Sequence, residues 1–184
     1  PNISAFVGAD IVAGILAIRM YENEKISLFI DLGTNGEIVL GSKRKMWTCS
    51  TAAGPAFEGA RISSGMRAAE GAIDKVKMDN ESITYRVIKD GKVRGICGSG
   101  LIDLIAELVK LGLISKSGKL IDREECEPKL NEEIRKRIIK GQKGNKFLLV
   151  KGKETENGKP IYLTQRDIRE VQLAKAAIFA GIKI

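Results

Sequence analysis

The segment Lys25 to Gly41, KISLFIDLGTNGEIVLG, constrains the fold more than any other part of the chain. A β-rich apolar run (Ile26, Leu28, Phe29, Ile30) ends in Asp31. A Gly-Thr-Asn-Gly turn follows, and then a second β-rich run (Ile38, Val39, Leu40). Asn35-Gly36 between two apolar runs predicts a tight hairpin, because both residues tolerate positive φ. Strands are expected near 26–31 and 36–41, with Asp31 and Thr34 at the tip. The backbone N–H groups of 33–36 are expected to face one space, and glycines there let a backbone approach an anion closely. A nearby carboxylate is the group that holds hydrated Mg²⁺ or orients a water. The plain alternative is an ordinary hairpin with a polar turn.

Composition bounds the rest. The chain has 184 residues, with 43% apolar and 29% charged residues, which fits one globular domain and not a disordered chain. Its longest apolar runs are far short of a membrane span, and no secretory signal is recognisable. The net charge of +8 raises a nucleic-acid reading. The cations are dispersed among 23 acids, however, and no aromatic residue is interleaved with a basic run as a stacking platform requires. Solvated surface lysines explain the charge better, with attraction to an acidic partner or polyphosphate as the weaker reading. The three cysteines, Cys49, Cys97 and Cys126, form no C-x-x-C, and there is no His. A zinc site or iron–sulfur cluster built from this chain alone is therefore not expected, and Ser-His or Cys-His catalysis is excluded within this segment. Unpaired cysteines fit a reducing cytoplasm. The start at Pro1 and the stop inside an apolar helical pattern at Ile184 lead us to expect a piece of a longer protein.

Periodicity predicts a helix over Pro1 to Tyr21, starting at Gly8-Ala9-Asp10, and a third strand over Lys45 to Ser50. The stretch Ser50 to Asp74 is crowded with Gly and Ala, and reads as a tightly packed loop with a short helix or as a ligand-lining segment. Lys75 to Val93 alternates as a β meander. A helix is expected over Gly100 to Leu111, closed by Gly112, and another over Asn131 to Lys140. Phe147 to Val150 and Ile161 to Leu163 read as a hairpin. Thr164 should cap a last helix, Gln165 to Ile184, with Asp167 completing a capping box.

A second motif, G-I-C-G-S-G at 95–100, stands immediately before a predicted helix. A glycine-rich turn opening a helix directs N–H groups and the positive dipole end at one spot. It is neither a Walker loop nor a dinucleotide fingerprint. The alternative makes Ser99 a simple N-cap and Cys97 a small buried residue.

Taken in order, D-L-G-T-N-G-E, C-S-T-A-A-G-P-A-F-E-G-A-R-I, G-M-R-A-A-E-G-A-I-D and G-I-C-G-S-G-L-I-D closely resemble one family. It is the C-terminal actin-like (ASKHA) ATPase domain of the reductive activators of corrinoid-dependent proteins. The resemblance spans 1–184 as a single fragment of that domain, with the phosphate hairpin at 26–41, the glycine-rich helix start at 95–111 and the last helix at 164–184. It implies an α/β, actin-like (ribonuclease H-like) ATPase fold, a mixed β-sheet flanked by helices, present here as a partial domain. It implies ATP and Mg²⁺ as cofactors, used to drive reduction of cob(II)amide to cob(I)amide. The electron would come from a [2Fe-2S] or other iron–sulfur domain outside this chain. It also implies a homodimer that docks onto a corrinoid protein.

Carried over by position, Asp31, Gly33, Thr34, Asn35 and Gly36 match the second phosphate hairpin of that fold, and Gly98, Ser99 and Gly100 its glycine-rich helix start. Asp31 would be the catalytic carboxylate, orienting water or holding Mg²⁺ through water; Thr34 and the turn amides would contact the β- or γ-phosphate. Glu37 and Glu58 are reserve candidates with structural alternatives. The family's first phosphate hairpin and its Gly-Gly-Phe-Gly loop are absent from this sequence, so about half of an ATP site is expected. The competing functions are a non-hydrolysing actin-like module that docks a partner, and a small-molecule kinase of the same superfamily. We expect neither nucleic acid nor membrane as partner.

Overall fold

The computed structural model describes residues 7–184. The chain divides into two compact units. One runs up to Pro55 and includes Leu173–Ile184; the other is Ala56–Gln172. Residues 1–6 of the predicted first helix lie outside the described residues.

In the first unit, α1 (Ala9–Ala17) starts at Gly8, as predicted, and stops at Ile18 because Arg19 turns into the left-handed region at φ 52°. Its apolar face buries Ile11 and Ile15, which join Val7, Met20 and Val39 in one core, with Phe29 and Met46 packed against it. Each such burial contributes about 1.5–3 kcal/mol. Strands β1 (Ser27–Leu32), β2 (Gly36–Ser42) and β3 (Lys45–Thr51) form an antiparallel sheet in that order. Phe29 stands opposite Val39, and two residues on, Asp31 stands opposite Glu37. Side chains alternate along a strand, so these pairs share the face on which α1 packs. Gly36, Ile38, Cys49 and Thr51 belong to the other face, which the end of the last helix covers. A Cβ on Gly36 would lie 2.8 Å from Ile178 Cγ1, and one on Gly181 2.8 Å from Ile38 Cδ1.

The predicted two-residue Asn-Gly turn is not what forms. Leu32 pairs with Gly36, so the connection is the three residues 33–35, and neither Asn35 nor Gly36 takes positive φ. Gly36 is already the first residue of β2. It is glycine because Thr51 and Ile178 occupy the space of a side chain, not because the turn demands it.

In the second unit, β4 (Ala72–Met78) pairs antiparallel with β5 (Ile83–Val87) and parallel with β6 (Gly95–Ile96). Helix α2 (Gly98–Lys110) buries Leu101, Leu104 and Leu108, a one-face spacing that seats it against β4. It ends where Gly112 turns to φ 72°, the predicted C-terminal stop. The predicted helix Asn131–Lys140 is only the single turn α3 (Glu132–Arg135), started by Asn131, whose side chain accepts from Glu133 N. Ile138–Ile139 form a short strand, β7, opposite Phe147 and Lys146 of β8 (Lys146–Val150). Two β-branched residues with a waiting strand edge override the local helical pattern. Strand β9 (Ile161–Thr164) completes that sheet, giving the expected hairpin.

Helix α4 (Gln165–Lys183) begins in the second unit and ends in the first. Its capping box is as predicted: Thr164 N donates to Asp167 Oδ2 at 2.8 Å, and Asp167 N donates to Thr164 Oγ1 at 3.2 Å. No helix among the described residues is long and apolar enough to cross a membrane.

Candidate functional site

The hairpin holds five of the predicted residues. Asp31 is half-buried near the end of β1 and makes no side-chain hydrogen bond or ion pair with any described residue. Across the sheet, Asp31, Glu37 and Ser50 stand abreast. Ser50 Oγ donates to Glu37 Oε1 at 3.3 Å, so Glu37 is the tethered carboxylate of the pair. Two carboxylates directly opposite each other on one face repel, a cost that a nearby cation would offset.

The turn is more closed than the sequence predicts. Gly33 N donates to Asn35 O at 3.0 Å, so that amide serves the turn itself and does not face outward. Thr34 O accepts from Gly54 N at 2.7 Å, which pins the tip from the loop after β3. Thr34 and Asn35 are exposed, whereas Gly36 is buried.

The glycine-rich start of α2 lies in the second unit. Cys97, not Ser99, is its N-cap residue, and no side chain caps the first turn. Ser99 is exposed and its hydroxyl donates to Asp74 O at 3.0 Å. Gly98 and Gly100 are buried because backbone passes them. A Cβ on Gly98 would collide with the carbonyl of Phe57, and one on Gly100 with the carbonyl of Ile73. An uncapped helix start keeps its dipole end and first amides available to an anion.

A cleft of about 290 Å³ opens at this point, lined by Phe57, Glu58, Arg67, Ala68, Cys97, Gly98 and Ser99. The structure thus places the reserve candidate Glu58 beside Gly98 and Ser99, and Glu37 beside Asp31. Arg67 received no role from the sequence. It is the one cation between Arg61 and Lys75, inside the G-M-R-A-A-E-G motif, and that isolation among glycine and alanine was the available signal. Beneath Ser99, Asp74 is gripped by Arg86 through Nε at 2.9 Å and Nη2 at 2.5 Å. That guanidinium holds the Asp74 carboxyl below its ordinary value.

Among the described residues no group of three or more His, Cys, Asp or Glu could hold a metal ion. A lone carboxylate such as Asp31 still fits hydrated Mg²⁺, which keeps several waters and takes its other ligands from phosphate. The three cysteines are free, Cys97 and Cys126 being buried, and do not fit an iron–sulfur cluster.

The family described as the C-terminal domain of RACo, the ASKHA domain, matches residues 25–184. The chain is 44% identical over 187 residues to the corrinoid activation enzyme RamQ of Eubacterium limosum, covering 98% of this chain and 30% of that protein. It is 38% identical over 142 residues to the [Co(II) methylated amine-specific corrinoid protein] reductase of Methanosarcina barkeri, covering 65% of this chain and 26% of that one. Among solved structures, a reductive activator for corrinoid, iron–sulfur protein superposes with a TM-score of 0.83 at 42% identity. That match covers 100% of this chain and 28% of the other. The chain therefore spans less than a third of the length of the relatives it matches. With an actin-like α/β fold and the ordered glycine motifs in place, the chain belongs to the RACo C-terminal ASKHA domain family.

Proposed function

We propose that this chain supplies part of the ATP site of a reductive activator of corrinoid proteins. In this reading the hairpin at 31–36 takes the nucleotide phosphates, with Asp31 holding Mg²⁺ through water and Thr34 contacting the β- or γ-phosphate. The start of α2 at Gly98, Ser99 and Gly100 offers a further anion contact. Bound ATP·Mg²⁺ supplies the free energy for reducing a partner's cob(II)amide; the electron comes from an iron–sulfur domain outside this chain. The protein works in the cytoplasm as a homodimer docked on its corrinoid protein.

The observation that carries the reading is Asp31 itself. It is a half-buried carboxylate with no partner among the described residues, set opposite a second carboxylate at the tip of a turn pinned by Gly54. Family membership supports the same assignment, since the names of its relatives describe activation or reduction of corrinoid proteins. An energy-coupling role requires that ATP bind one conformation of the protein more tightly than another.

Calorimetry of ATP·Mg²⁺ binding to the full-length protein tests the reading. Asp31→Ala is expected to weaken binding at least about tenfold, roughly 1.4 kcal/mol. Its unfolding free energy should stay within about 0.5 kcal/mol of wild type, because no folded-state partner is lost. Unchanged affinity would remove Asp31 from the site. No binding by the well-folded wild type would favour a partner-docking module.

A further inference from the structure

Asp167 is fully buried, 0% exposed, and helix capping uses only part of it. Its Oδ2 takes the Thr164 amide, while Oδ1 takes both the amide of Ser63, at 2.8 Å, and the Ser63 hydroxyl, at 3.1 Å. The Ser63 and Thr164 hydroxyls also meet at 3.3 Å. A carboxylate on α4 thus grips a loop 104 residues earlier in the sequence.

That loop continues directly into the wall of the cleft at α2. Its far end bonds to β6 through Met66 N to Ile96 O and Ile96 N to Ser64 O, both at 2.9 Å. Gly59, at φ 77°, lies so close to Met66 that a Cβ would be 2.5 Å from its carbonyl oxygen. The loop is therefore closed on itself at 59–66, and the segments emerging from either side carry Phe57, Glu58, Arg67 and Ala68 into the cleft. Between Gly59 and Met66, Arg61 is held at φ 63°, in the left-handed region that a residue with a Cβ adopts rarely. A loop bent this way persists only where surrounding contacts over-determine it, and Asp167 provides two such contacts, both through Ser63.

We propose that Asp167 is a positioning residue: acting through Ser63, it fixes the loop that sets the distance of Phe57, Glu58 and Arg67 from the start of α2. It touches no ligand. The effect on nucleotide affinity rests on the proposed ATP site; the effect on the loop does not.

The test uses the full-length protein with Asp167→Asn, which keeps the size of the side chain but turns one acceptor into a donor facing a donor. Without nucleotide, amide exchange over 59–66 is expected to quicken about tenfold, as for loss of one hydrogen bond to a charged group. Exchange in the interior of α2 (Leu101–Lys110) and in β4 should stay unchanged. ATP·Mg²⁺ affinity should fall several-fold. Ser63→Ala, which removes only the hydroxyl, should give a smaller change of the same pattern and serves if the Asn variant does not fold. Exchange rising evenly over the whole second unit would overturn the proposal, leaving Asp167 a stabilising cap. A loosened loop with unchanged affinity, in a protein whose wild type binds ATP, would bear out the positioning of the loop and overturn its effect on the nucleotide. A wild type that binds no ATP would instead overturn the nucleotide reading, and needs no variant to be seen.

Discussion

Glycine is used at the hairpin and at the start of α2 for different reasons, and the difference decides how each region would respond to change. At the hairpin, Gly36 is crowded by side chains: its missing Cβ would lie 2.7 Å from Thr51 Oγ1 and 2.8 Å from Ile178 Cγ1. Side chains can rotate away at modest cost. At α2, Gly98 and Gly100 meet the carbonyls of Phe57 and Ile73, which cannot move without moving backbone. The hairpin is a tolerant frame that presents side chains, Asp31 and Thr34. The helix start is an intolerant one that presents main chain. An anion site built of amides depends on backbone placement, so rigidity matters more there.

Gly98→Ala should show this contrast at its largest. In an open helix the change would stabilise by about 1 kcal/mol. Against the Phe57 carbonyl we expect a loss of about 3 kcal/mol, read from the denaturant midpoint of the second unit. Gly36→Ala should cost less, about 1–2 kcal/mol, as Thr51 and Ile178 give way. Equal losses at the two sites would break the comparison.

The smallest effect sharpens it through pH. Ser99 is anchored on Asp74, whose carboxyl is depressed first by its hydrogen bond to Arg86. A depressed carboxyl contributes stability above its unfolded value near 3.8, and that contribution is lost as pH falls through the lower folded value. Unfolding midpoints taken from about pH 6 to pH 2 should show this acid limb in wild type, and Arg86→Gln should flatten it. An unaltered limb in the variant would show that the pair contributes nothing measurable, as many exposed pairs do not.

Much of this architecture was legible because it is local. Alternation and turn residues marked β1, β2, β8 and β9, and the spacing of Leu101, Leu104 and Leu108 marked α2. The Thr164–Asp167 capping box lies within four residues. What escaped depends on distant partners. The turn was misread because the reason for Gly36 sits at Ile178, 142 positions away. The alternative that makes Ser99 an N-cap fails because its hydroxyl donates to the carbonyl of Asp74, 25 positions away. The helix expected to Lys140 stops at Arg135 because Ile138 and Ile139 find β8. The glycine motif at 95–100 opens a helix as its pattern predicts, whereas the segment carrying Arg67 needed the fold to bring it to the same cleft.

The first unit is split in sequence: its three described strands end at Thr51, yet Ile178 and Gly181, which cover one face of them, come more than a hundred residues later. During synthesis, that sheet waits with Ile38 and Cys49 uncovered until the entire second unit has been made. Contacts across such a separation are slow to close. The second unit is continuous in sequence, so its contacts can form before α4 reaches the sheet of the first, and until then Ile38 and Cys49 are apolar surface open to wrong partners.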